Sequence, residues 1–166
     1  MNLTSVHGAE MVTRHYCESL FFGAKFPGEP ASILDVGSGA GFPGVPIAIL
    51  KPVCRVTLVE SNQKKAVFLR EATRGLPNIS VAAQRAEDLV QQAEWVVSRA
   101  VDPEEVVSLV PKLAPKIALM IGEDDFVALK NLSHIAWLDP VRLPWGDRRI
   151  CLYGVVYGVF HVEHKS

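Results

Sequence analysis

The stretch Ile33-Leu34-Asp35-Val36-Gly37-Ser38-Gly39-Ala40-Gly41-Phe42-Pro43-Gly44 decides how the remaining residues are read. A short, mostly branched apolar run ends with an acid in it, and glycines follow at alternate positions. Ile33 to Val36 suit a buried strand. The glycines allow a sharp turn and a close backbone approach where a Cβ would clash. Pro43 and Pro46 suit the first turn of a helix, where a missing N–H costs little. Strand, turn and helix N-terminus together predict a ligand cradle with free N–H groups and a positive dipole end.

Spacing narrows the ligand. A dinucleotide fingerprint, G-x-G-x-x-G/A, needs a small third residue to pack helix on strand. Here the third glycine comes one position early, at Gly41, and Phe42 fills the place that should be small. A phosphate-binding Walker loop would need Gly-Lys-Ser/Thr, which is absent. The pattern D-x-G-x-G-x-G is instead similar to motif I of class I S-adenosylmethionine (AdoMet) methyltransferases. A glycine-rich turn without any ligand would also fit these residues alone, so downstream positions have to decide.

With 166 residues, 49% of them apolar and 21% charged, the chain has the size and composition of one globular domain. Residues 1–30 read as an N-terminal helix and loop packing on an AdoMet-binding domain over 31–166. The formal charge of −1 offers no global basic field for nucleic acid, so such a partner would need a local patch. Cys17, Cys54 and Cys151 are widely spaced, without C-x-x-C or His/Cys pairing, and predict neither zinc nor disulfides but reduced thiols in the cytoplasm. No basic n-region with an apolar h-region opens the chain, and no apolar run reaches membrane-spanning length.

Periodicity predicts a helix over 8–22 with Met11, Val12, Cys17, Leu20 and Phe21 tending to one face, then a loop over 23–30. Strands follow at 32–36, 54–60, 79–83, 95–99 and 116–121. They alternate with helices at 43–50, 62–75, 103–114 and 124–131, and a short helix or turn at 86–93. Phe68, Ala72 and Leu76 would stripe the inner face of the 62–75 helix, and Val106, Val107, Val110 and Leu113 that of 103–114. Strands at 135–143 and 148–160, joined through Pro144-Trp145-Gly146-Asp147, would form an antiparallel hairpin. The fold class is therefore α/β: a Rossmann-like, doubly wound, mostly parallel sheet with a C-terminal antiparallel hairpin.

In such sheets ligands sit beyond the carboxyl ends of the strands. Glu60 stands there, 25 positions after Asp35, and can accept from both ribose hydroxyls of an adenosine, although a helix N-cap is the plainer role. Asp35 would hold the glycine turn or the ligand's ammonium group. Glu87 and Asp88 follow the third strand, where a backbone N–H and a carboxylate can read an adenine edge, or simply start a surface helix. Arg99 ends the fourth strand beside the expected methyl donor. It would hold an anionic group there or pair with Asp102. The five histidines are scattered, with His161 and His164 near the tail, and no metal-ligand or Ser-His-Asp array is visible. Methyl transfer to a free lone pair, such as a purine N7, needs placement rather than a general base.

At this point a family resemblance is specific. The extended motif Asp35 to Gly44, with its Phe-Pro-Gly tail, resembles that of the bacterial 16S rRNA guanine-N7 methyltransferases, also called glucose-inhibited division protein B. Asn2-Leu3-Thr4, Arg14-His15-Tyr16, Val56 to Ser61, Lys64 to Leu69, Arg85 to Asp88, Ser98 to Val101, Arg142-Leu143-Pro144 and Arg148-Arg149-Ile150 add similar matches. The resemblance implies AdoMet as cofactor, leaving as S-adenosylhomocysteine, and 16S rRNA of the small ribosomal subunit as partner, with neither metal nor membrane. It implies cofactor contacts at Gly37, Phe42, Ala86, Glu87 and Arg99; the residues themselves add Asp35, Gly39 and Gly41 of the glycine turn and Glu60 at the end of the second strand. Arg99 would position the reactants, and Lys64, Arg85 and Arg148, with Arg99, would form a basic mouth for RNA phosphates. Phe42 is a candidate for stacking on a base or for the core.

Two positions depart from the family. It has a further helical segment before Asn-Leu-Thr, where this chain begins, and Leu-Lys-Gly after the fifth strand, where Met120-Ile121-Gly122 stands. Ile121 replaces a lysine expected near the mouth, and Glu123, Asp124 and Asp125 follow it. These changes should weaken phosphate binding. They leave open an AdoMet-binding protein without rRNA activity.

Overall fold

The computed structural model describes residues 8–99, 101–145 and 148–157. A first helix, α1, runs without a break through Ala9–Met11, a π-helical Val12–Cys17 and Glu18–Ala24. Then follow β1 (Ser32–Val36), α2 (Gly44–Leu50), β2 (Arg55–Val59), α3 (Gln63–Ala72), β3 (Ile79–Ala82) and a 3₁₀ turn at Ala86–Asp88. The rest comprises β4 (Trp95–Arg99), α4 (Pro103–Leu113), β5 (Lys116–Gly122), α5 (Glu123–Leu129), β6 (Ile135–Trp137), β7 (Val141–Arg142) and β8 (Arg149–Val156). The sheet order is β3-β2-β1-β4-β5-β8-β6, with β7 also on β8. Neighbours among β1 to β5 pair in parallel, and β8 pairs antiparallel with β5, β6 and β7. This is the α/β sheet that the strand and helix alternation predicts.

Each strand's side chains alternate between two cores. Ile33, Leu58, Trp95, Val97 and Tyr153 lie on one face, under α1 and α2. Leu34, Val36, Val96, Ile117 and Leu152 lie on the other, under α4. On the first face the Tyr153 ring stacks on Phe22 at 5.5 Å, and its hydroxyl donates to Phe22 O at 2.7 Å. On the second, Val106, Val107, Val110 and Leu113 of α4 are buried as their spacing predicts.

Three predicted details are corrected. The buried face of the second half of α1 carries Glu18, Ser19 and Phe22, while Val12 and Leu20 are exposed. The π-helical segment fits more residues into each turn than a 3.6 period allows, and so rotates the face that follows. On α3 the buried residues are Ala66 and Leu69, with Thr73 just beyond, whereas Phe68 is half-buried and Ala72 exposed. The strand expected over 135–143 is broken into β6 and β7. The pairing Trp137↔Gly154 becomes Val141↔Cys151, so the register slips by one residue across the break. Pro140 cannot donate to a ladder, and this slip is a bulge that bends the edge. The hairpin positions 146–147, the end of the last strand beyond Tyr157, Ala100, and the motif Asn2-Leu3-Thr4 with His161 and His164 lie outside the described residues.

The link between β1 and α2 is made by a buried acid. Asp35 is fully buried, and its Oδ2 accepts the Gly44 N–H at 3.0 Å. A Cβ at Gly44 would stand 2.6 Å from that oxygen, so only glycine lets helix and strand meet here. Burial, and to a smaller extent the charge of Glu60, pushes the Asp35 carboxyl up to about 7 against the pull of the Gly44 bond. The folded chain therefore holds this proton more tightly than the unfolded one. The stability it contributes is complete below the usual carboxyl value and is lost as pH rises toward 7. Urea unfolding between pH 4 and 8 should show wild type losing on the order of 4 kcal/mol relative to Asp35→Asn, whose isosteric amide does not titrate. Parallel stability curves for the two proteins would contradict this.

Candidate functional site

The glycine turn satisfies most of its own amides. Gly37 N and Ser38 N donate to Val59 O at 3.0 and 3.1 Å, and Gly41 N and Phe42 N to Ser38 O at 2.7 and 3.2 Å. Gly39 N donates to Glu60 Oε2 at 3.0 Å. The expected cradle of free N–H groups is therefore corrected, and the group that meets the start of α2 is the Asp35 carboxyl itself. What the turn offers a ligand is shape. Gly37, Gly39 and Gly41 all have positive φ. A Cβ at Gly37 would run into Val101, and one at Gly41 would stand 2.8 Å from Val45. At Gly39 the nearest atom would be Gly37 O at 3.8 Å, so the backbone there faces open space.

Beside the turn lies a cleft of about 160 Å³ at the carboxyl ends of β1, β2 and β3. It brings together Gly37, Glu60, Arg85, Ala86 and Glu87, and α4 contributes Glu105 and Leu109 to its wall. Glu60 is 7% exposed and accepts a second N–H, from Asn62, at 2.8 Å through Oε1. The cap of α3 is Asn62, whose side chain accepts from Lys64 N and Lys65 N, so Glu60 is not the N-cap. Each carboxylate oxygen has two acceptor sites, so Glu60 can still accept from hydroxyls entering the cleft.

Other candidates lie apart from this cleft. Asp35 sits beneath the turn, bonded to Gly44. Phe42 turns toward α1, stacking on His15 at 4.9 Å and meeting Tyr16 edge-on at 5.0 Å. It lines a separate apolar groove of about 440 Å³ with Leu20, Val45 and Phe68. Burial, then the nearby guanidinium groups of Arg99, Arg14 and Arg149, holds His15 below its usual value, so the ring is mainly neutral at pH 7.

Arg99 does not line the cleft and does not pair with Asp102, whose carboxylate caps α4 by accepting from Glu104 N and Glu105 N. It pairs with Glu18 of α1 at 3.3 Å, and Arg149 Nη1 donates to the same Glu18 oxygen at 2.8 Å. The sequence pattern does not single out Glu18. A signal exists in strand phase, because Arg99 shares its face with Trp95 and Val97, and Arg149 with Cys151 and Tyr153.

Of the cations expected at an RNA mouth, Lys64 and Arg85 are exposed and make no ion pair among the described residues. Arg148 is different. Its Nη2 donates to Asp124 at 2.8 Å, its Nε lies 3.7 Å from Glu123, and Arg142 meets Glu123 at 2.9 Å. Ile121 is 7% exposed and packs in the α4-side core with Leu119 and Ile150, on the face opposite Arg99. Among the described residues no cluster of three His, Cys, Asp or Glu could hold a metal, and no helix is long and apolar enough to cross a membrane.

Comparison with known proteins fits this geometry. The chain is 54% identical over 104 residues to ribosomal RNA small subunit methyltransferase G of Nitrosomonas europaea, covering 60% of this chain and 48% of that protein. It is 46% identical over 106 residues to the enzyme of the same name from Xanthomonas axonopodis pv. citri, covering 61% and 49%. The matched region thus spans about half the length of these relatives. A SAM dependent methyltransferase from Aquifex aeolicus shares the fold, with a TM-score of 0.67 over 90% of this chain and 94% of that one at 15% identity. The 23S rRNA methyltransferase ErmE does so with a TM-score of 0.64 over 86% and 68%, also at 15% identity. The model of the family described as rRNA small subunit methyltransferase G matches residues 1–133, and the chain belongs to that family.

Proposed function

We propose that this chain transfers a methyl group from AdoMet to N7 of a guanine in the 16S rRNA of the small ribosomal subunit. The observation that carries this reading is the cleft bordered by Gly37, Glu60 and the Ala86–Glu87 turn, in a chain of this family. Glu60 would accept from the ribose hydroxyls, and Ala86 N–H with the Glu87 carboxylate would read the adenine edge. The open backbone at Gly39 would admit the ligand's close approach. Bound AdoMet supplies an electrophilic methyl group.

The acceptor N7 carries its own lone pair, so the chain has to align the base and need not deprotonate it. N7 lies on the Hoogsteen edge, which an unstacked base can present to a pocket. Lys64 and Arg85 would hold RNA phosphates, and Arg99 would position the reacting groups. Such a protein works where ribosomes assemble, in the cytoplasm.

Calorimetry should give saturable AdoMet binding with Kd of about 1 μM or tighter, near −8 kcal/mol. Gly39→Val, which fills the open approach at a positive φ, should abolish it. Absence of binding by AdoMet and S-adenosylhomocysteine would overturn the reading. Methyl incorporation into undermethylated 30S subunits, mapped as N7-methylguanosine, separates the rRNA enzyme from an AdoMet-binding protein without that activity. Lys64→Ala should leave AdoMet affinity unchanged and lower RNA affinity; unchanged RNA affinity and turnover would remove Lys64 from the mouth. Glu123→Gln with Asp124→Asn should free Arg142 and Arg148. RNA binding should then tighten, and its salt slope steepen by about 0.7 per recruited contact. An unchanged slope would remove Arg148 from the RNA site.

A further inference from the structure

Glu18 belongs to neither the glycine turn nor the cleft, yet it is the acid on which two arginines converge. Its side chain is 2% exposed, that of Arg99 11% and that of Arg149 20%. A single oxygen, Oε2, serves both guanidinium groups, at 3.3 Å from Arg99 Nη2 and 2.8 Å from Arg149 Nη1. Arginine–carboxylate pairs frequently close into a two-bond fork. Here the fork is not closed. Arg99 Nη1 is buried without a hydrogen-bond partner among the described residues.

Charge points the same way. Two guanidinium groups against one carboxylate leave a net positive charge in a mostly buried place. Arg14, the other cation acting on Glu18, is directed outward to Glu10 at 3.0 Å, and His15 is mainly neutral. A buried donor left unsatisfied is costly, the more so when charged, so an oxyanion arriving at Nη1 would relieve a standing penalty. Arg99 is the last residue of β4, at the end of the sheet where the cleft opens.

We propose that Glu18 is a positioning residue: its carboxylate holds the Arg99 fork so that Nη1 stays presented to an oxyanion of a bound reactant. The inference rests on the methyltransferase reading above. The oxyanion is either the carboxylate of AdoMet or a phosphodiester of the RNA, and the two are separable by ligand choice. Sign distinguishes positioning from charge balance. If Glu18 only neutralised the arginines, Glu18→Gln would add positive charge and tighten oxyanion binding. If it positions Arg99, the amide's own N–H groups push the fork away and binding weakens.

The test is a double-mutant cycle on the full chain, Glu18→Gln with Arg99→Gln. Binding of S-adenosylhomocysteine, of methylthioadenosine (which lacks the carboxylate) and of a 16S rRNA fragment is measured, with thermal melts run alongside. Glu18→Gln should weaken one of the oxyanion ligands at least tenfold, and should change it less than twofold when Arg99 is already Gln. Glu18→Asp, which keeps the charge, should recover part of the loss and covers the case in which Glu18→Gln does not fold. A loss for S-adenosylhomocysteine but not methylthioadenosine assigns the cofactor carboxylate. A loss for RNA alone assigns a phosphodiester. Tighter or unchanged binding in Glu18→Gln, or additive effects in the cycle, overturns the inference. Wild type that binds neither S-adenosylhomocysteine nor RNA overturns the methyltransferase reading itself.

Discussion

The hydrogen bond from Gly44 N–H to the buried Asp35 carboxylate is the constraint on which the rest of the site depends. It fastens the first turn of α2 to β1 and so closes the glycine turn between them. Closure brings Gly39 N–H to Glu60, which in turn holds Asn62 N–H at the start of α3. Two carboxylates thus pin the turn from below and from the side. A consequence for binding follows. The positive end of α2 is already answered by Asp35, so the motif cannot work here as a helix-dipole anion site. What it leaves open instead is the space over the backbone at Gly39, beside the carboxylate of Glu60.

Much of this frame could be read from residues alone because it follows short-range rules. The parallel sheet follows from apolar runs alternating with helical stretches, and α4 from the spacing of Val106, Val107, Val110 and Leu113. Gly37, Glu60, Ala86 and Glu87 come together because each stands just after a parallel strand, and such ends share one edge of the sheet. No long-range information is needed for that convergence.

What could not be read depends on phase and on distant partners. The sequence pattern of α1 places Leu20 on the inner face only if the helix keeps one period. The π-helical Val12–Cys17 segment breaks that period, and Glu18 turns inward. An acid turned inward must then find cations, and hydropathy does not say which. Arg149 lies 131 residues away, and only the shared face of β4 and β8 brings it beside Arg99. The break between β6 and β7 has the same character. Pro140 gives a reason for it, while the one-residue slip depends on how β8 pairs with both pieces.

These partners sort the arginines by what it costs to redirect them. Arg142 and Arg148 are 79% and 68% exposed, and surface pairs of this kind contribute only about 0–1 kcal/mol each. A phosphate can therefore displace Glu123 or Asp124 at little expense. Separating Arg99 or Arg149 from Glu18 is another matter, since removing one partner of a buried pair costs about 3–5 kcal/mol. Ready exchange of partners therefore belongs to the exposed arginines. The buried cluster keeps its own pairs, and its one buried donor left open among the described residues is Arg99 Nη1. Ile121 fits this division. Its side chain leaves β5 toward the α4-side core, away from the α1 face that carries Arg99 and Arg149.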